Sequence, residues 1–99
     1  MNRPKHPRRD NNQTRLIRAV EQCGVYVWDL ADVGGEVLDT LMCYRGRCLP
    51  VEIKRPGYED DLTDGERQGI EALRWVGVEP VVATCAEDVL EAFGAMVRQ

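Results

Sequence analysis

The stretch VLDTLMCYRGRCLPVEIKR, residues 37–55, constrains the fold of this chain more than any other. Leu49, Val51 and Ile53 alternate with Pro50, Glu52 and Lys54, the period of a strand with one apolar and one polar face. Arg45-Gly46 suits a two-residue turn, so the stretch reads as a hairpin of strands 37–44 and 47–55. With that turn, Tyr44 pairs with Arg47, Cys43 faces Cys48 and Asp39 faces Glu52. Lys54 then lies two residues beyond Glu52 on the same face. A bulge would shift this register by one residue.

Two carboxylates set directly opposite one another repel. They are tolerable if a cation sits between them, or if Lys54 neutralises one of them. Hard divalent cations favour such oxygen ligands, and Mg²⁺ commonly adds phosphate oxygens and water to one or two carboxylates. A lysine beside such an ion could orient or deprotonate a water, or stabilise charge developing on a phosphate. The same spacing also suits a solvated strand face with an incidental ion pair. Cys43 and Cys48 could close a cross-strand disulfide in oxidising conditions, although two reduced thiols are the simpler expectation.

The rest of the chain supplies helices and two short strands. Leu16, Ile17, Val20 and Cys23 share one face of a helix over 11–23, capped by Asp10 or Asn11 and ended by Gly24. VYVWDL, residues 25–30, reads as a strand, and Gly34-Gly35 breaks the pattern after it. Thr63 with Glu66 forms a capping box that opens a second helix carrying Ile70 and Leu73 on one face. VEPVVAT, residues 78–84, is a fourth strand. Thr84 with Glu87 is a second capping-box candidate, followed by a last helix lined by Val89, Leu90, Phe93 and Val97. The fold class expected is therefore α/β: a small mixed sheet with flanking helices, in the order αβββαβα.

Ninety-nine residues allow a single domain, here 11–99, preceded by a basic and flexible arm over 1–10. The net charge of −4 conceals an asymmetry, because residues 1–18 hold six Lys or Arg against one Asp. The remainder holds seven against sixteen acids, so a basic arm on an acidic body points to phosphate as its partner. No apolar run approaches a membrane span and no apolar signal region begins the chain, which predicts an intracellular, cytoplasmic protein without membrane contact. None of the four cysteines forms a C-x-x-C pair, which disfavours a structural zinc site.

GGEVLDTLMCYRGRCLPVEIKRPG resembles the core motif of the PD-(D/E)XK nuclease superfamily, in which an Asp precedes one strand and E-x-K lies on the next. LTDGERQGIEALRWVGVEPVVATCAEDVLE is similar to the second half of its small virus-type replication-repair (VRR-NUC) members, and RRDNNQTRLIRAVEQCG to their first helix. The resemblance covers roughly residues 8–94. It implies a restriction-endonuclease-like core and a metal-dependent DNA endonuclease, in a phage or prokaryotic setting. Asp39, Glu52 and the backbone carbonyl of Ile53 would bind Mg²⁺ or Mn²⁺, and Lys54 would be the catalytic lysine. Gln13 would join them from the first helix, and Glu66 or Gln68 from the second; for Glu66 the competing role is the helix cap. Arg8, Arg9, Arg45, Arg47 and Arg55 are the candidate DNA-backbone contacts.

Departures from the family pattern are Leu38, where a Pro would precede Asp39, and Pro50 inside the third strand, which removes one ladder donor. Glu36 is an extra acid read as a loop charge, and the acidic run Tyr58-Glu59-Asp60-Asp61 would repel a nucleic-acid backbone. No motif for base readout is present, so DNA structure rather than sequence is the expected target. Relatives without further domains pair up to resolve branched DNA such as four-way junctions, which implies a homodimer. Trp28, Tyr44, Trp75 and Met96 are the apolar residues in excess of a small core that would serve its interface. The alternative is a catalytically silent nuclease-fold module that binds DNA or a protein partner.

Overall fold

The structure, a computed structural model, describes residues 11–97. The arm expected over residues 1–10, with Arg8 and Arg9, lies outside the described residues. The chain runs α1 (Asn11–Gln22), β1 (Tyr26–Asp29), β2 (Thr40–Tyr44), β3 (Arg47–Ile53), α2 (Asp64–Trp75), β4 (Val81–Ala83) and α3 (Ala86–Ala92). The strands form one mixed sheet in the order β1-β2-β3-β4. The first two ladders are antiparallel and β3 pairs with β4 in parallel, with α2 as the crossover between them.

The hairpin turns on Arg45 (φ 50°) and Gly46 (φ 81°), both left-handed as a type I′ turn requires. Its register is Tyr44 to Arg47, Cys43 to Cys48 and so on to Thr40 opposite Val51, with no bulge. Pro50 causes no defect. It faces Leu41 in a pair lying between ladder hydrogen bonds, so its nitrogen is directed toward β4. β4 begins only at Val81, opposite Val51, and no ladder partner waits for the missing donor.

One face of the sheet carries Met42, Val51, Ile53 and Ala83, covered by Leu16 and Val20 of α1, by Val89 of α3 and by Phe93 at the C-cap of α3. These side chains recur at four-residue intervals on each helix, so a single apolar stripe meets the strands. All three helices end alike: Val25 bonds back to Val20, Val78 to Leu73 and Ala95 to Leu90, across Gly24, Gly77 and Gly94. This closure corrects two expectations. α1 stops at Gln22 and leaves Cys23 exposed, and α3 stops at Ala92 and leaves Val97 82% exposed.

α3 also starts one residue later than the capping-box reading placed it. Its N-cap is Cys85, whose side chain does not cap the helix, and Asp88 rather than Glu87 reaches back to accept the Thr84 N–H at 2.8 Å. The capping box of α2 is present as read, with Thr63 and Glu66 each accepting the other's backbone N–H. β2 starts at Thr40 instead of residue 37. Its approach, Gly34–Asp39, is pressed against α2, where a Cβ at Gly65 would meet the Gly35 backbone and one at Gly69 the Glu36 backbone, nearer than any real Cβ contact. Two glycines four apart thus form a notch that seats this loop.

Candidate functional site

Asp39 lies one residue before β2, opposite Glu52 on β3, and the two residues clasp one another. The Asp39 N–H donates to Glu52 Oε1 at 3.1 Å, and the Ile53 N–H donates to Asp39 Oδ2 at 3.0 Å. Gln13, on the first turn of α1, adds its Nε2 donor to the same Asp39 oxygen at 3.3 Å. Its neighbour Asn12 donates to the carbonyl oxygens of Lys54 and Thr84, at 3.1 and 3.2 Å. The start of α1 is therefore fastened to the ends of β3 and β4.

The Lys54 ammonium sits 3.5 Å from Glu52 Oε2 and 3.2 Å from Glu66 Oε1. Glu66 Oε1 also accepts the Thr63 N–H at 2.9 Å, so the helix cap and the lysine contact are made by the same atom. Glu66 thus makes the helix cap read for it and also contacts Lys54.

Glu52 is 1% exposed. Burial pushes its carboxyl up to about 8, helped by a hydrogen bond with Glu66 and by the charges of Asp39 and Glu66, against the Asp39 N–H. At neutral pH Glu52 thus carries a proton, which it offers to Glu66. Burial also pushes Glu66 upward, but the bonds from Glu52, the Thr63 N–H and Lys54 outweigh it and hold Glu66 below the usual carboxylate range. For Lys54, burial disfavours the ammonium, and the bonds and charges of Glu66 and Glu52 more than reverse this. Lys54 stays charged.

The oxygens gathered here fit a hard divalent cation. Among the described residues no group of three or more His, Cys, Asp and Glu side chains is assembled as a metal site. Two carboxylates are enough for Mg²⁺, which keeps several waters. A third oxygen is available in the Ile53 carbonyl. The β2–β3 ladder ends at Thr40 and Val51, and Lys54 rather than Ile53 bonds toward β4, so the Ile53 carbonyl is directed to the Asp39 side without a ladder partner.

The other candidates divide. Arg55 follows Lys54 directly and lays its guanidinium 4.3 Å over the Tyr58 ring. Gln68 is exposed two positions after Glu66, about 200° further round the helix, so it is not brought to the cluster. Arg45 and Arg47 stand at the opposite end of the hairpin, with Arg47 about 17 Å along β3 from Glu52. There Arg47 donates to the Phe93 carbonyl at 3.3 Å and Arg45 lies over the Tyr44 ring at 5.0 Å, both in packing roles. Glu36 is exposed, and its backbone fills the Gly69 notch.

Of the surplus apolar residues, Trp75 is 90% and Trp28 56% exposed. Tyr44, by contrast, is half-buried 5.7 Å from the Phe93 ring, and Met96 is half-buried too. Cys43 and Cys48 are joined as a disulfide, where the simpler expectation was two thiols. Their pair lies between ladder hydrogen bonds, the position that brings facing side chains closest. No helix among the described residues is long and apolar enough to cross a membrane.

Sequence reasoning missed Asn12, which had no signal beyond its place beside Gln13, and the Gly65/Gly69 notch, which was visible as a four-residue glycine spacing. No protein-family model, curated protein or solved structure matches the chain.

Proposed function

We propose that the protein is a metal-dependent DNA endonuclease of the PD-(D/E)XK kind, built on a restriction-endonuclease-like core and selective for branched DNA. The observation that carries the reading is the clasp of Asp39 and Glu52 with Lys54 in contact beside it. Asp39, Glu52 and the Ile53 carbonyl would hold Mg²⁺ or Mn²⁺, which when bound polarises the scissile phosphoryl group and lowers the pKa of the attacking water. Gln13 orients Asp39 through its shared oxygen. Lys54, held as an ammonium by Glu66, serves as an electrostatic partner for charge developing on the phosphate rather than as a proton acceptor. Arg55, whose guanidinium lies 4.3 Å over the Tyr58 ring, would meet the adjoining backbone. A homodimer would present two such centres to the two equivalent strands of a four-way junction, using apolar surface around Trp28 and Trp75.

One observation favours the second reading, a silent DNA- or protein-binding module. The groups of the cluster satisfy one another, with Glu52 protonated and Lys54 doubly paired. The deciding experiment incubates the protein with four-way junction, nicked, single-stranded and linear duplex DNA in Mg²⁺, Mn²⁺ or chelator. The nuclease reading expects junction cleavage that chelator stops and that Lys54→Ala abolishes without loss of fold. Binding without cleavage under every metal would establish the silent module, and cleavage surviving Lys54→Ala would place the chemistry elsewhere.

A further inference from the structure

We propose that Asn12 is a positioning residue for the carboxylate cluster: its amide bridges the ends of β3 and β4 and thereby sets Gln13 against Asp39. The proposal rests on the cation-binding part of the reading above and names the residue that holds the shape of that site.

β3 and β4 run in parallel, and their last ladder pair is Ile53 with Ala83. The Lys54 N–H still donates to the Ala83 carbonyl, but the chain then turns into α3 at its N-cap, Cys85. The Lys54 and Thr84 carbonyls thus lie just past the point where the ladder stops. Asn12 donates to both through one nitrogen, at 3.1 and 3.2 Å. A side-chain amide carries two N–H donors on that nitrogen, so it can serve two carbonyls on neighbouring strands, which lie about 4.8 Å apart. A hydroxyl has a single donor and cannot. Thr84 is itself fixed, since its N–H and its hydroxyl both donate to Asp88 Oδ2, at 2.8 and 3.3 Å. Asn12 therefore joins α1 to the end of β3 and, through Thr84, to the start of α3.

The effect on the site runs through Gln13. Leu16 and Val20 follow Asn12 at one and two turns on the same face of α1 and bury that face against the sheet. Apolar burial alone fixes no direction, whereas the two bonds from Asn12 do. Gln13 is the next residue, and its Nε2 meets Asp39 Oδ2 at 3.3 Å, already long for an N–H···O bond. A shift of about 0.5 Å in the first turn of α1 takes this contact out of bonding range. The same Asp39 oxygen accepts the Ile53 N–H at 3.0 Å, so two donors together hold the carboxylate that faces the cation.

The test compares Asn12→Ala, Gln13→Ala and the double variant in the full chain. Calorimetry measures Mg²⁺ binding. NMR in chelator follows the Ile53 amide proton, which reports the place of the Asp39 carboxylate. Phe93→Leu is the control for lost stability alone, because Phe93 packs on Tyr44 at the far end of the hairpin. Circular dichroism should show native folding in the Asn12 and Gln13 variants, since both residues are half-buried and water reaches the groups they leave. Gln13→Ala should weaken Mg²⁺ binding by about tenfold, as loss of a group that bonds a metal ligand from behind does. Asn12→Ala should weaken it by a similar factor, and the double variant by no more than either, because the two act as one unit. The Ile53 resonance should move in the same direction in all three. Phe93→Leu should lower the urea midpoint and keep native Mg²⁺ affinity. An Asn12→Ala protein that behaves like Phe93→Leu, with an unmoved Ile53 resonance, would overturn the proposal, as would a double variant weakened by about a hundredfold. The two readings fail separately. A wild type that binds no Mg²⁺ removes the cation site, while a shared Ile53 displacement in the variants keeps the positioning role. Native Mg²⁺ binding in Asn12→Ala keeps the cation site and removes the positioning role.

Discussion

Replacing Glu52 with Gln should stabilise the metal-free protein and remove most of the pH dependence of its folding between pH 5 and 8. Glu52 titrates near 8 in the folded chain, against 4.5 for the free side chain. Between these values the folded protein holds a proton that the unfolded chain has lost, so stability falls as pH rises, by about 1.4 kcal/mol per unit for one proton. The contribution is fully present below 4.5, and on the order of 5 kcal/mol is gone once pH passes 8. Glutamine is neutral throughout. Its carbonyl can still accept the Asp39 N–H, and its amide can still donate to Glu66, as the protonated acid does. At pH 7 the variant should therefore exceed the wild type by about 3 kcal/mol, the ionisation cost accrued by then. Urea unfolding at pH 5, 6, 7, 8 and 9 in chelator measures both proteins, with the Cys43–Cys48 bridge kept in one redox state. The difference should grow from pH 5 to 8 and level off above it. A difference independent of pH across that window would mean that Glu52 is ionised in the folded protein, and the buried-acid account would be wrong.

Three further outcomes follow from the same geometry. Asp39→Asn should lose both Mg²⁺ binding, measured by calorimetry, and cleavage, because it removes one of two anionic ligands while keeping an acceptor for the Ile53 N–H. Gly69→Ala should destabilise by about 1–3 kcal/mol in urea unfolding, since its methyl group meets the Glu36 backbone and displaces the loop that carries Asp39. Arg45→Asn should raise stability by about 0.5–1 kcal/mol in the same assay, because Asn tolerates the left-handed φ of 50° at that position.

The hairpin was legible because its register is arithmetic. Once Arg45-Gly46 is a two-residue turn, Asp39 must face Glu52, and no bulge intervenes to alter this. Helix existence was legible from periodicity, but helix ends were decided by Gly24, Gly77 and Gly94, whose left-handed closure overrode the apolar pattern that continued to Cys23 and Val97. The start of β2 was misjudged for a tertiary reason: Val37 and Leu38 continue the apolar run of the strand in sequence, yet the glycine notch of α2 holds their approach as a loop. Arg45 and Arg47 illustrate the opposite limit. Basic residues near a motif in sequence look like ligands for the same phosphate, while the hairpin carries them to its far end. Gln68 is turned away by helical angle, while the capping box already points the Glu66 carboxylate at the sheet end.

The opposed carboxylates pose a question that the groups around them answer. Their repulsion is relieved in three ways at once: Glu52 keeps its proton, Glu52 accepts the Asp39 N–H while Asp39 accepts the Ile53 N–H, and Lys54 neutralises the remaining charge. A divalent ion at this place would have to displace that proton, because a ligating carboxylate must be ionised. Metal and proton therefore compete for Glu52, which gives a last prediction. Mg²⁺ affinity should rise about tenfold per pH unit up to about 8 and then level off, with close to one proton released per ion bound below that point. Calorimetry in buffers of different ionisation enthalpy counts the released protons directly. Affinity that is flat from pH 6 to 8, with no proton released, would mean either that the ion binds without Glu52 or that Glu52 is already ionised. The Glu52→Gln variant separates the two: binding kept there removes Glu52 from the ligand set, and binding lost there removes its buried proton.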